Sequence, residues 1–428
     1  MPTGMPQGLA AWLAWQTRLH TPAIVLGLER VRAVWTRLSP RARPLPVITV
    51  AGTNGKGSTV AFLETLLTTG GYRVGAYSSP HLLRYTERIR LEGRAVDEPS
   101  LCQAFERVEA ARREVPLTYF EFGTLAALDL FARAALDVWV LEVGLGGRLD
   151  AVNLIDPTIA VVTSIGFDHQ DWLGDTLDQI AVEKAGIFRS GRPVIIGQAD
   201  APRVLRQAAE TLGAPCWQAG RDYQVDRRAG GWDWQGPMSI YPHLPLPGLL
   251  GEHQIANAAG ALMALDCLTH LPLDTAAIHM GLTATYQPGR CQRYPGPPAW
   301  ILDVAHNPQA VAALAEVLRT LPCQGRTLAV FSCLADKNPQ GMVGLLVDIV
   351  DYWYLAPLPG PRSLPGEALQ GALQAVGISN PSRCGSFSQA LAEARQAADP
   401  ADRILVFGSF LAVEEAYKII EDAAIAKG

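Results

Sequence analysis

The sequence predicts an α/β chain in two parts, a larger parallel-sheet domain over residues 1–288 with a small antiparallel β insertion and a smaller α/β domain over residues 289–428. Three observations lead there. Continuously apolar strand runs alternate with helical periodicity, beginning at Val47–Val50 and resuming at Trp300–Val304. The run Gln287-Pro-Gly-Arg-Cys-Gln-Arg293, followed by Pro295-Gly-Pro-Pro298, is the strongest linker signal, and the strand–helix pattern restarts after it. A chain of 428 residues also exceeds what one core usually covers.

Composition narrows the function classes. With 49% hydrophobic and 18% charged residues the chain can fill sizeable cores, and a net charge of −5 without runs of Lys or Arg argues against nucleic acid as a partner. An anionic substrate must then be met by local groups. Cys102, Cys216, Cys267, Cys291, Cys323, Cys333 and Cys384 are scattered, odd in number and free of any C-x-x-C spacing. That pattern predicts reduced thiols and a cytoplasmic protein, not a disulfide frame or a zinc site. No stretch approaches the ~18 apolar residues of a membrane span. No membrane partner is expected, and the chain is expected to act as a monomer.

The chain opens with an amphipathic helix marked by Leu9, Trp12, Leu13 and Gln16. Val47–Val50 then runs into Ala51-Gly-Thr-Asn-Gly-Lys-Gly-Ser58, and Val60, Leu63, Leu66 and Leu67 continue at helical spacing. Strand, glycine loop and helix are the context of a phosphate-binding loop. Gly52, Gly55 and Gly57 permit a tight backbone and present N–H groups, Lys56 adds a point charge, and the Ser58 hydroxyl opening the helix suits Mg²⁺. The spacing departs from G-x-x-x-x-G-K-[ST], because two residues separate Gly52 from Gly55; an ordinary β–α turn is the competing reading.

Gly70-Gly71 caps that helix, Tyr72–Tyr77 reads as a second strand, Glu87–Arg90 as extended chain, Phe122–Ala135 as a helix, and Asp137–Val143 as a strand too continuously apolar to face water. Glu142 stands at that strand's end, where ligands meet a doubly wound sheet and a carboxylate can reach nucleotide-bound Mg²⁺; pairing with an Arg is the alternative. The glycine-rich Gly144–Asp150 follows. Strand Ile159–Ile165 leads to Phe167-Asp-His169. A lone His is commonly structural, but the shared sheet edge favours a role beside Glu142. On the helix Leu177–Ala185, Lys184 reads as a solvated charge. A strand at Pro193–Gly197, a helix at Arg203–Leu212, short antiparallel strands within Trp217–Leu250 and the helix Glu252–Leu268, which contains Asn257, complete the first part. The second holds strands Trp300–Val304, Thr327–Ser332, Tyr352–Ala356 and Arg403–Phe407 between helices, with Asp303-Val-Ala-His306 and Gly408-Ser409 at strand ends.

These stretches together resemble one family. Ala51–Ser58, Ser78-Ser-Pro-His-Leu82, Tyr119-Phe-Glu121, Glu142-Val-Gly-Leu-Gly-Gly-Arg-Leu-Asp150, Ser164-Ile-Gly-Phe-Asp-His169, Glu183-Lys-Ala-Gly-Ile187, Pro288-Gly-Arg290 and Asp303-Val-Ala-His-Asn-Pro308 keep the motif order of the folylpolyglutamate synthases, of the bacterial type that are also dihydrofolate synthases. The family belongs to the ATP-dependent amide ligases that include the cell-wall Mur enzymes. The resemblance implies a P-loop ATPase-like first domain that binds ATP and folate and a Rossmann-like second domain for glutamate ligation. It implies a reaction in which ATP phosphorylates a carboxylate to an acyl phosphate, which the amino group of L-glutamate then attacks, releasing ADP and phosphate. Dihydropteroate, tetrahydrofolate and folylpolyglutamates would be the acceptors, with ATP and two Mg²⁺ as cofactors.

Residue by residue, the resemblance assigns Asn54, Gly55, Lys56, Gly57 and Ser58 to the triphosphate, and Asn257, Arg290 and Asp303 to the nucleotide. It assigns Ser58, Ser79, Glu142, His169 and a carboxylated Lys184 to Mg²⁺. Thr118, Tyr119, Phe120, Glu121, Leu149, Asp150 and Ala151 would line the pterin site, and His306 and Ser409 would handle glutamate. Lys56, Lys184, Asp303 and His306 would serve catalysis. A carbamate on Lys184 turns a cation that Mg²⁺ would repel into an oxygen ligand. The family's Asp-Ala-Thr-Asn is Asp150-Ala-Val152-Asn153 here, which questions any hydrogen bond from position 152. Two alternatives stay open: a folylpolyglutamate synthase without dihydropteroate activity, and a P-loop phosphotransferase or nucleotide switch with no glutamate dependence.

Overall fold

The computed structural model describes residues 5–19, 25–38 and 45–425, and the chain divides into two compact units. The first takes the chain to Gly166 together with Gln170–Gly248 and Ile255–Thr285; the second takes Phe167–His169, Leu249–Gln254 and the chain from Tyr286 onward.

Segments rich in Val, Ile and Leu, without polar alternation, become strands covered on both faces. The strands of the first unit are β1 (Val47–Ala51), β2 (Val74–Tyr77), β3 (Ile89–Leu91), β4 (Arg94–Ala95), β5 (Val138–Glu142), β6 (Ile159–Val162), β7 (Val194–Ile196) and β8 (Cys216–Gln218), in the order β4-β3-β2-β5-β1-β6-β7-β8. Of these, β1, β2, β5, β6 and β7 are buried along their whole length, while β3, β4 and β8 towards the edges are partly or fully exposed. β2, β5, β1, β6, β7 and β8 are parallel, and the β3–β4 hairpin adds an antiparallel edge. β1 lies between β5 and β6, where strand order reverses and a doubly wound sheet opens a crevice for a ligand. The antiparallel insertion is a separate three-stranded sheet of β9 (Gln224–Arg228), β10 (Gly231–Gln235) and β11 (Ile240–Pro245). Trp217, expected within that insertion, instead belongs to β8 and pairs with Ile195.

The helices seal this sheet through aromatic and glycine contacts. Trp12, Phe105 and Phe122 meet with centroids 5.5 to 6.3 Å apart, joining the helices Leu9–Gln16, Glu98–Arg112 and Tyr119–Arg133. The helix Thr275–Ala284 packs on Lys56–Thr69 at Gly281, where a Cβ would lie 2.8 Å from Leu66 Cδ2.

The second unit repeats the scheme with β12 (Gln292–Tyr294), β13 (Ala299–Leu302), β14 (Thr327–Phe331), β15 (Tyr352–Leu355), β16 (Ser382–Arg383) and β17 (Arg403–Phe407), ordered β12-β13-β17-β14-β15-β16. All but β12 are parallel. β12 corrects the linker expected at Gln287–Arg293, since Gln292 and Arg293 pair with Leu302 and Ile301 and form the sheet's edge. The core centres on Phe407, fully buried 4.8 Å from the Phe331 ring and 6.1 Å from that of Trp353.

Phe407→Ala should therefore lower stability by about 3–5 kcal/mol through the lost burial and the cavity left behind. Urea unfolding followed at the second unit measures it; a loss under about 1 kcal/mol would contradict this packing.

Candidate active site

The loop after β1 has no room for side chains at its bends. At Gly52 (φ +149°) an added Cβ would lie 1.9 Å from Thr163 Oγ1, and at Gly55 (φ +85°) 2.4 Å from Asn257 Oδ1. Gly55 caps the helix Lys56–Thr69, so Gly57 and Ser58 sit in its first turn and the helix starts ahead of Ser58, which was expected to open it. First-turn N–H groups have no helical acceptors, which makes this end an anion site. The loop is tied to the turn after β6. Thr53 N donates to Ser164 O (2.7 Å), Asn54 N to Ser164 Oγ (3.1 Å), and Thr163 Oγ1 to Asn54 O (2.6 Å). Lys56 Nζ donates to the carbonyls of Gly52 and Thr53 at 3.0 and 3.1 Å, which keeps its charge at the loop. Sequence reasoning missed Thr163; the signal was a hydroxyl pair, Thr163-Ser164, ending an apolar strand.

Glu142 ends β5 beside this loop, in register with Val50, and is 4% exposed. Its Oε2 accepts from Ser79 N at 3.2 Å. In the same segment His81 Nδ1 accepts from Arg88 Nε (2.8 Å), and burial followed by the Arg88 charge lowers that imidazole to about 4, so it is neutral at pH 7. Lys184 is only 3% exposed, which corrects its reading as a solvated charge. Its helix lies against the glycine-rich loop: a Cβ on Gly147 would meet Glu183 O at 2.8 Å and Lys184 Cα at 3.1 Å, while Glu183 pairs with Arg148 at 2.8 Å. His169 belongs to the second unit, whereas Ser58, Ser79, Glu142 and Lys184 belong to the first. Among the described residues no three His, Cys, Asp or Glu side chains form a metal cage. Ser58, Ser79 and Glu142 offer two hydroxyls and a carboxylate, hard oxygen donors that fit Mg²⁺.

The residues expected at the pterin divide into two kinds. Thr118 and Glu121 form a capping box for the helix Tyr119–Arg133: Glu121 N donates to Thr118 Oγ1 (3.2 Å) and Thr118 N to Glu121 Oε2 (2.8 Å). Glu121, 3% exposed, also pairs with Arg30 at 2.7 Å. Its oxygens are thus committed. Tyr119 and Phe120 present rings instead, Tyr119 edge-on to Tyr85 at 5.7 Å and Phe120 at 6.2 Å from Tyr77. A Cβ on Gly144 would fall 2.5 Å from the Phe120 ring, so that glycine is required where the loop passes it. Leu149 O accepts from Gly27 N at 3.2 Å and Ala151 is buried. Asp150 accepts from the amides of Leu145 and Val152, both at 2.9 Å, and burial raises its carboxyl to about 6 against those bonds. Val152 has no exposed surface and joins the apolar core, so the missing hydroxyl leaves no polar site unfilled.

In the second unit the carboxyl ends of β13, β17 and β14 gather the remaining candidates. Asp303 accepts from Cys291 N and Ala305 N, both at 2.7 Å. Arg290 lies 5.7 Å from the Phe410 ring. Gly408 N donates to Ala305 O (2.9 Å), and with φ +105° a Cβ there would sit 2.1 Å from Ser332 O. That turn seats Ser409, 5% exposed, whose Oγ accepts from Leu411 N at 3.2 Å. His306 Nδ1 lies 2.9 Å from Val304 O and its Nε2 3.4 Å from Asp168 Oδ2. Asp168 also pairs with Lys337 Nζ (2.6 Å) and accepts from Asn307 Nδ2 (3.2 Å). Burial by itself would raise the Asp168 carboxyl, but the His306 bond and the charges of His169, His306 and Lys337 hold it far below the usual range. Sequence reasoning missed Lys337, 6% exposed on its side chain. It follows β14 in Ala335-Asp-Lys-Asn-Pro339, within reach of the strand-end reasoning that singles out Glu142.

Residues 50–265 match the Mur ligase middle domain and residues 289–410 the Mur ligase glutamate ligase domain. The dihydrofolate synthase/folylpolyglutamate synthase of Escherichia coli (strain K12) is 44% identical over 414 residues, 96% of each chain. That of Bacillus subtilis (strain 168) is 34% identical over 83% of this chain and 86% of its own. Among solved structures, E. coli FolC in complex with DHPP and ADP aligns with a TM-score of 0.92 at 43% identity, over 98% of this chain and 99% of that one. A bifunctional folylpolyglutamate synthase/dihydrofolate synthase with Mn, AMPPNP and L-glutamate bound aligns with a TM-score of 0.90 at 43% identity, over 97% and 98%.

The Asp168 cluster has a pH signature of definite sign. Its folded-state carboxyl lies below the unfolded value of about 3.9, so its pairs stabilise the fold above pH ~4 and are lost as pH falls further. Asp168→Asn should flatten the decline of stability below about pH 4. At pH 7 it should cost about 3 kcal/mol, the low end for a broken buried pair because Asp336 still lies 3.2 Å from Lys337. Equal acid slopes for both proteins in urea unfolding would contradict the assignment.

Proposed function

Because the chain belongs to the Mur ligase family, and within it to the dihydrofolate synthase/folylpolyglutamate synthases, we propose that it joins L-glutamate to dihydropteroate, giving dihydrofolate, and to tetrahydrofolate and its polyglutamates, converting ATP to ADP and phosphate. The observation that supports this most is the Ser79–Glu142 contact beside a glycine-tight phosphate loop, in a chain whose relatives were solved with ADP or AMPPNP, DHPP, Mn and L-glutamate. On this reading residues 1–288 form the ATP- and folate-binding domain and residues 289–428 the glutamate-ligase domain.

The chemistry follows from what each group can do. The amides of Gly55 to Ser58, on a loop that the Asn54–Ser164 bond holds in place, and the Lys56 ammonium offset the charge of the triphosphate, while Asn257, Arg290 and Asp303 orient the nucleotide. Bound Mg²⁺, for which Ser58, Ser79, Glu142, His169 and a carboxylated Lys184 are the proposed ligands, supplies further charge neutralisation for phosphoryl transfer. The acceptor's carboxylate attacks the γ-phosphorus and ADP leaves; the free amine of glutamate attacks the acyl carbon of the resulting acyl phosphate and inorganic phosphate leaves. Tyr119, Phe120, Leu149 and Ala151 give an apolar wall for a planar pterin, with Asp150 as its polar contact. Thr118 and Glu121 position that wall through the helix cap. His306 and Ser409 are assigned to glutamate. All seven cysteines are free thiols, which fits a reducing cytoplasm. Among the described residues no helix is long and apolar enough to cross a membrane.

Phosphate release measured with dihydropteroate or tetrahydrofolate, each with and without L-glutamate, tests the reading: glutamate-dependent release is expected with both. Release with tetrahydrofolate alone would leave a folylpolyglutamate synthase, and release indifferent to glutamate would point to a phosphotransferase or switch. Glu142→Gln should fold yet lose about a hundredfold or more in turnover. Lys184→Ala should be nearly inactive and partly restored by acetate; restoration by a small amine instead would reject the carbamate.

A further inference from the structure

A cavity of the second unit lies at the amino ends of β13 and β17, away from the Asp303, His306 and Ser409 ends of the same strands. It measures about 290 Å³, at the lower limit of ligand pockets. Its walls are apolar, made by Tyr294, Pro295, Trp300, Leu321 and Pro322 among others. Its charged lining is two arginines, Arg293 and Arg403, with no carboxylate among the lining residues.

Among the described residues neither guanidinium has a counter-ion. Arg403 is 8% exposed; its Nε donates to Thr327 Oγ1 (2.8 Å) and its Nη1 to the carbonyls of Leu318 and Leu321 (both 3.2 Å). Those bonds cap the helix Pro308–Thr320 and account for three of the five N–H donors at most, while Nη2 finds no acceptor among the described residues. The carboxylate next in sequence, Asp402, is taken by Arg326 at 2.7 Å. Arg293 stands exposed on β12, and its side chain makes neither a hydrogen bond nor an ion pair among the described residues. A nearly buried cation without a counter-ion carries a desolvation cost that an anionic ligand would offset, and a guanidinium fork matches a carboxylate in geometry.

We propose that this pocket binds a small organic carboxylate, its anionic head on Arg403 Nη2 and Arg293 and its apolar or aromatic body against Trp300, Leu321 and Pro322. Amino acids are disfavoured, since their ammonium would enter beside two cations. Inorganic anions cannot use the apolar wall. The site is independent of the glutamate site assigned above.

The test uses the full-length protein and ligand-observed NMR titration with benzoate, benzamide of nearly the same shape but no charge, and inorganic phosphate. Benzoate should bind saturably, with benzamide and phosphate each weaker by about tenfold or more. Arg293→Glu should weaken benzoate by about tenfold or more and Arg293→Lys by much less, with an unchanged unfolding midpoint, because the Arg293 side chain bonds nothing. Saturating ATP and L-glutamate should leave benzoate affinity unchanged. The proposal is overturned if benzoate does not bind, if benzamide or phosphate equals it, if Arg293→Glu makes no difference, or if ATP or glutamate displaces it.

Discussion

The close approach of the β1 loop to the end of β6 is the constraint on which the rest of the proposed site depends. A Cβ at Gly52 would stand 1.9 Å from Thr163 Oγ1, far inside contact distance, so the backbone itself forms the wall there. The amides of Thr53 and Asn54 are spent on Ser164, which fixes the loop. The first-turn amides of the following helix are the ones left for an anion. Glu142 inherits its position from the same arrangement through the Val50 register. A slip of one residue between β1 and β5 would turn its carboxylate to the opposite face of the sheet.

Buried charge is handled in two ways, and the difference sorts the carboxylates. Asp129, with no exposed side-chain surface, sits between Arg107 and Arg133 at 2.7 and 2.9 Å, and Asp168 sits among Lys337, His306 and His169. Both have cations to offset desolvation. Asp150 has only backbone dipoles close by, with a minor contribution from Lys56, and burial wins, lifting its carboxyl to about 6. A carboxyl that titrates near neutrality in an apolar wall is able to donate as well as accept a hydrogen bond, a useful property opposite a heterocycle.

Local signals in the sequence were reliable where the physics is local. The apolar run and glycine loop at Val47–Ser58, the helix Leu177–Ala185 and the strand Arg403–Phe407 all form where their residues place them. What failed depends on partners distant in the chain. Lys184 reads as solvated because helical periodicity says nothing about the glycine-rich loop that packs on its turn. Arg293 reads as linker because a three-residue strand is stabilised by β13, not by its own composition. Thr118-Tyr-Phe-Glu121 is legible as a capping box, while the engagement of Glu121 with Arg30, 91 residues away, comes only from the fold. Lys337 escaped for the same kind of reason, since only the fold brings it to Asp168.

The Arg30–Glu121 pair ties the head of the helix Tyr119–Arg133 to the segment ahead of the first strand. A chain trimmed to begin at β1 would retain all three sheets and the whole phosphate loop, yet would strand a buried carboxylate at the head of the helix that presents Tyr119 and Phe120. On the proposed assignment, such a truncation would loosen the grip on the pterin while leaving the hold on nucleotide intact. With Tyr119 and Phe120 assigned to the pterin as proposed, the leading helices would act as a selectivity brace, and substitutions there would retune acceptor choice without touching the residues proposed to hold ATP.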